Sequence, residues 1–162
     1  AGEQPGIYYG YYFLELADYF GQEGTDEKES MNLLYVTVKA LLNPHIEDRL
    51  VRCIFELRMM AAQDCVHRCF IVYAVKGEEI FFSQQNHGIL DKHCLGQVND
   101  AKRISAPALY AMQYIVTTSL GKLYTFTVTE EVLYELERHI HTYVASNTEK
   151  RFKSLEILEI MS

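Results

Sequence analysis

Cys65-Val66-His67-Arg68-Cys69 sets two thiols four positions apart, and Asp91-Lys92-His93-Cys94 supplies a second pair of donors further along. Donors grouped two and two around a short connection are a set that zinc holds in a tetrahedron. A stretch this short has a thin apolar core of its own and is the kind of module that a metal pins together. The spacing predicts a zinc module with Cys65, Cys69, Asp91 and Cys94 as ligands, and His67, His87 and His93 as nearby substitutes. The competing reading is a degenerate knuckle with free thiols. Cys53 lies on a helical apolar stripe and reads as a core residue.

Two other groups carry charge or stacking chemistry. Lys150-Arg151-Phe152-Lys153 is the densest basic run, so Lys150, Arg151 and Lys153 are candidates for nucleic-acid contact. A place just after a helix C-terminus, where the dipole favours cations, explains the same run structurally. Tyr8-Tyr9-Gly10-Tyr11-Tyr12-Phe13 could stack bases. On a helix that must pack against two others, it reads instead as core or inter-domain packing. The chain has no G-x-S-x-G, no H-E-x-x-H and no phosphate-binding glycine loop, so the expectation is a binding protein and not an enzyme. A Cys/His hydrolase is the alternative, with no motif behind it.

The elements around these groups follow from periodicity. Met31, Leu34, Tyr35, Val38, Leu41 and Leu42 recur at helical spacing, as do Ile46, Leu50, Cys53, Ile54, Leu57, Met60 and Ala61. With a first helix from about Ile7 to the Gly21–Gly24 break, they make three helices with short links. Asp26 with Glu29 is the cap of the second, and Asn43 before Pro44 is the expected start of the third. Phe70–Val75 and Ile80–Phe82 are β-branched and aromatic, with Gly77 between them, and predict a hairpin. Asn86-His87-Gly88 marks a further turn. Ser105 and Pro107 open a helix ending at Leu120-Gly121. Thr129 caps another with the stripe Leu133, Leu136, Ile140, Tyr143 and Val144, and Ser154 caps a last one. The prediction is a mainly α fold: a helical bundle with an inserted β-hairpin knuckle, divided as 7–63, 64–104 and 105–162.

The 162 residues are 49% hydrophobic and 23% charged, which excludes a disordered chain and allows one ordinary folded domain. The net charge of −7 disfavours bulk electrostatic binding of nucleic acid. No apolar run is long enough to span a membrane, and the start has no signal-peptide pattern. That predicts reduced thiols and a cytoplasmic setting.

Taken in order, several motifs resemble the C-terminal part of the bacterial RecO repair and recombination family. Tyr12-Phe13-Leu14-Glu15-Leu16 resembles its Y-x-x-E-L helix, and Arg52-Cys53-Ile54-Phe55-Glu56-Leu57-Arg58 its R-x-F-E-L-[RK] helix. Cys65–Cys94 falls where many members carry a four-cysteine zinc module, and Lys153-Ser154-Leu155-Glu156-Ile157-Leu158 resembles the closing K-S-x-x-[FL]-L signature. The family's N-terminal OB-fold domain, its main contact with single-stranded DNA, has no counterpart here. The resemblance implies a mediator that works with RecR, helps load recombinase on SSB-coated strands and anneals strands. It also implies capture of the acidic SSB tail, which needs an apolar pocket beside a fixed cation. Arg49, Arg52 and Arg58 are the candidates, Arg52 foremost. Arg52 is also spaced i,i+4 from Asp48 and Glu56, as an ordinary helix ion pair would be.

Overall fold

The computed structural model describes residues 5–22, 26–62, 80–83, 88–91, 99–148 and 152–161. Its helices are α1 (Pro5–Gln22), α2 (Glu27–Leu41), α3 (Asp48–Ala61), α4 (Ala106–Thr117), α5 (Glu130–Asn147) and α6 (Lys153–Met161). Three short strands, β1 (Ile80–Ser83), β2 (Gly88–Asp91) and β3 (Lys102–Ile104), form an antiparallel sheet with β1 in the centre. The architecture is mainly helical with a small sheet.

Local chemistry sets most helix starts. Asp26 accepts from the backbone of Lys28, Ser105 from Ala108 and Thr129 from Val132, each satisfying a first-turn donor. Asn43 does something else. Its side chain accepts from His45 N at 2.9 Å, closing a turn, and α3 begins at Asp48 with Glu47 as its cap residue. The expected start at Asn43-Pro44 is corrected accordingly. α4 ends at Thr117, and Leu120–Lys122 forms a separate 3-10 turn where the sequence suggested a helix end. Ser154 lies inside the first turn of α6 and donates to Glu15 of α1 at 2.5 Å.

α3 is the central helix. Leu50, Cys53, Ile54, Leu57 and Met60 are buried as their stripe predicts, and α1, α2, α4 and α5 all pack on it. Tyr12 and Phe13 of the aromatic run are fully buried, with the Phe13 and Phe55 rings 4.6 Å apart. Packing, not base stacking, accounts for these two rings.

α2 keeps only part of its predicted face. Leu34 is buried and Leu41 packs on the core, but Met31, Tyr35 and Leu42 are 63%, 67% and 78% exposed, and the inward face is Ser30, Leu33, Leu34, Thr37 and Ala40. Thr37 can be buried because its hydroxyl donates to Leu33 O at 2.7 Å and meets the Tyr124 hydroxyl at 2.7 Å. With Thr37's proton on Leu33, Tyr124 is the donor in that second contact.

The sheet leans on α5. The Phe82 ring of β1 packs tilted against His139 and edge-on to Tyr143, with ring centres 5.4 and 5.6 Å apart. In register, β1 pairs Phe82 with Ile89 of β2 and Lys102 of β3. Phe70–Val75, the expected partner of β1, lies outside the described residues, so that hairpin is untested. Glu135 fixes the corner by accepting from the Ser105 backbone at 2.7 Å and hydroxyl at 2.6 Å.

Candidate functional site

The three arginines of α3 point to three different places. Arg49 faces α5, where it pairs with Glu137 and donates to Glu130 at 2.7 Å, with Glu47 3.5 Å away. These hydrogen bonds raise its pKa. Arg58 spends one terminal nitrogen on the end of α4, donating to the carbonyls of Ile115, Val116 and Thr118 at 2.9, 3.2 and 2.8 Å. Those are acceptors that the helix terminus leaves open, and a cation there also complements the dipole. Both side chains have structural work that accounts for them.

Arg52 differs. It lines a cavity of about 380 Å³ where α1, α3, α5 and α6 meet. Tyr12, Val144, Phe152 and Leu155 give the cavity its apolar walls, and Glu156 and Glu159 stand on the α6 side. The guanidinium sits 5.3 Å above the Tyr12 ring, and its Nε is 3.4 Å from Glu56 Oε1. Burial pulls its pKa down, but Glu56, Tyr12 and Cys53 more than offset this, so the group is held charged. The result is a fixed cation at the edge of an apolar pocket.

Glu56 anchors the arrangement from below. Tyr12 donates to its Oε2 at 2.5 Å, and His141 Nε2 lies 3.1 Å from Oε1. Burial, then the neighbouring Glu56, pushes the Tyr12 hydroxyl well above its ordinary pKa, so it stays a donor. Burial likewise lowers His141, against the pull of Glu56. Cys53 Sγ is 3.9 Å from His141 Nε2, but burial raises its thiol well above the usual range. A thiol kept protonated is no nucleophile, so Cys53 is a core residue, as its stripe predicts. Sequence reasoning found Arg52 and its i,i+4 relation to Glu56, but it missed His141, which only the packing of α5 brings in.

The remaining candidates are placed only in part. Cys65, Cys69, Cys94, Lys150 and Arg151 lie outside the described residues. Asp91 ends β2, with its backbone opposite Ile80, and Lys153 is an exposed residue opening α6. Among the described residues, no three His, Cys, Asp or Glu side chains gather as a metal site. Nor is any described helix long and apolar enough to cross a membrane.

Comparison with known proteins bears on this geometry. The family model for the C-terminal region of recombination protein O matches residues 6–156, nearly the whole chain. The chain belongs to this RecO C-terminal family. It is 28% identical over 134 residues to a protein from Acetivibrio thermocellus named DNA repair protein RecO, covering 81% of this chain and 52% of that protein. It therefore spans about half the length of this curated RecO relative. No solved structure matches. Within the RecO region, the Y-x-x-E-L and F-E-L helices are α1 and α3, and the K-S-x-x-[FL]-L segment is α6. Tyr12, Glu56 and Leu155 from these segments all border the same cavity.

Proposed function

We propose that this chain is the helical, partner-binding part of a recombination mediator in DNA repair. It acts by binding SSB and RecR, in support of recombinase loading and strand annealing, and not by catalysis. Arg52 carries the reading: it is a fixed cation beside the apolar walls of Tyr12, Val144, Phe152 and Leu155, which suits the carboxylate and apolar end of an SSB tail. Arg49 and Arg58, engaged elsewhere, leave Arg52 as the anchor. An acidic peptide ending in an apolar residue with a free carboxylate should bind saturably below about 1 mM. Fluorescence anisotropy should show that Arg52→Ala removes most of that binding, and that amidating the peptide's C-terminus does the same. Peptide binding that survives Arg52→Ala unchanged would place the tail elsewhere.

Zinc belongs to the same proposal. Three thiolates from Cys65, Cys69 and Cys94 with the Asp91 carboxylate are a donor set that zinc accepts. Elemental analysis of protein purified without chelator should give about one zinc per chain. A content near zero refutes it.

A further inference from the structure

One buried carboxylate in the cavity accepts from Tyr12 and stands close to two further polar groups, Arg52 and His141, which the capture of a tail does not require. Glu56 is 0% exposed. Its Oε2 accepts from the Tyr12 hydroxyl at 2.5 Å. Its Oε1 faces Arg52 Nε at 3.4 Å and His141 Nε2 at 3.1 Å, without an aligned hydrogen bond to either. Among the described residues, no hydrogen bond reaches the two terminal amino groups of Arg52.

An arginine and a carboxylate left to themselves pair through two parallel hydrogen bonds, which use up the fork that an incoming carboxylate would need. Here Tyr12 donates to the second oxygen, and the closest approach of Glu56 to Arg52 is at Nε, 3.4 Å from Oε1. We propose that Glu56 gates Arg52, with Tyr12 and His141 as rival donors that keep the terminal amino groups of Arg52 available to an anionic guest. Tyr12 is then a positioning residue twice over, with its ring beneath the guanidinium and its hydroxyl on the counter-ion. A protonated His141 draws Glu56 further from Arg52. The groups that face His141 are Glu56, Arg52 and Cys53 of α3, Glu137 on its own helix and Glu159 of α6. Arg52 is the one permanent cation among the described lining residues, so its availability decides the affinity for an anionic guest.

The gate rests on the reading of Arg52 as an anion anchor, and two measurements separate them. In anisotropy titrations with the acidic peptide, Tyr12→Phe should weaken binding about five- to tenfold, and Glu56→Gln should strengthen it by a similar factor. Wild-type affinity should rise as the pH falls below about 6.5, where a His141 lowered by burial begins to charge, and His141→Gln should flatten that rise. The second measurement needs no peptide. Phenylglyoxal, which attacks uncommitted guanidinium groups, should modify Arg52 fastest in Glu56→Gln, more slowly in wild type and slowest in Tyr12→Phe, as mapped by mass spectrometry. Equal rates in the three proteins overturn the gate whether or not the peptide binds. Ordered rates without peptide binding support the gate and remove the tail reading.

Discussion

Glu56→Ala should destabilise the protein by about 3–5 kcal/mol, the largest loss expected from any single change in the polar interior. The substitution removes the carboxylate that Arg52, Tyr12 and His141 share inside the bundle. Arg52 cannot shed its charge, and it is mostly buried, so it is left without a counter-ion. The Tyr12 hydroxyl loses its acceptor at the same time, and an orphaned buried donor costs more than the net value of the bond it made. With a urea m-value of about 2 kcal/mol/M for a chain of this size, the midpoint should fall by about 2 M.

The double variant Glu56→Ala, Arg52→Ala distinguishes this cause from simple loss of volume. If the uncompensated charge dominates, the double variant should cost well below the sum of the two singles, because removing Arg52 removes the stranded cation. Additive losses would mean that packing at α3 sets the cost and that the ion pair contributes little. The i,i+4 spacing alone suggests a surface pair, whose loss would be about 0.3–0.5 kcal/mol. Burial makes the difference, since Glu56 sits beneath α1, α5 and α6 and not on an open helix face.

That contrast shows what a sequence can and cannot disclose here. Caps at Asp26, Ser105 and Thr129 were legible because each acts within a few residues of its own helix. The α3 stripe was legible because a central helix buries most of its surface. α2 misled because both of its faces offer candidates for the core. Met31, Tyr35 and Val38 lie on the outer face, whereas Ser30 and Thr37 go inward beside Leu33, Leu34 and Ala40, and Thr37 does so through bonds to Leu33 and to the distant Tyr124. Strand existence at Ile80–Phe82 was legible from composition. Its partners β2 and β3 were not, because pairing is a non-local choice that β-propensity does not specify. The cavity was half visible: Arg52 and Glu56 share one helix face, but His141 lies 85 residues beyond Glu56 and enters only when α5 docks on α3.

Stability should also fall as the solution is acidified from about pH 6.5 to pH 4, and His139 should account for up to about 3 kcal/mol of the loss. His139 is 2% exposed, and its Nε2 has no hydrogen-bond partner among the described residues; Glu135 Oε1 is 4.0 Å away. Burial, followed by the nearby Arg138, lowers its pKa to about 4, with Lys102 acting in the same direction and Glu135 against it. The sign follows from proton binding. Between about 4 and 6.5 the unfolded chain takes up a proton that the native His139 refuses, so the native state loses ground as pH falls through that window. Above 6.5 both states are neutral and the penalty vanishes. His141 is lowered in the same sense and the carboxylates titrate too, so the measurement must be a difference. Urea unfolding at pH 7.5 and 4.5 should show a smaller acid loss in His139→Leu than in wild type, and parallel losses would refute the assignment. Because the Phe82 ring rests on His139, the same protonation should release the sheet from α5 first. Amides of β1 and β3 should then lose hydrogen-exchange protection at a higher pH than those of α3.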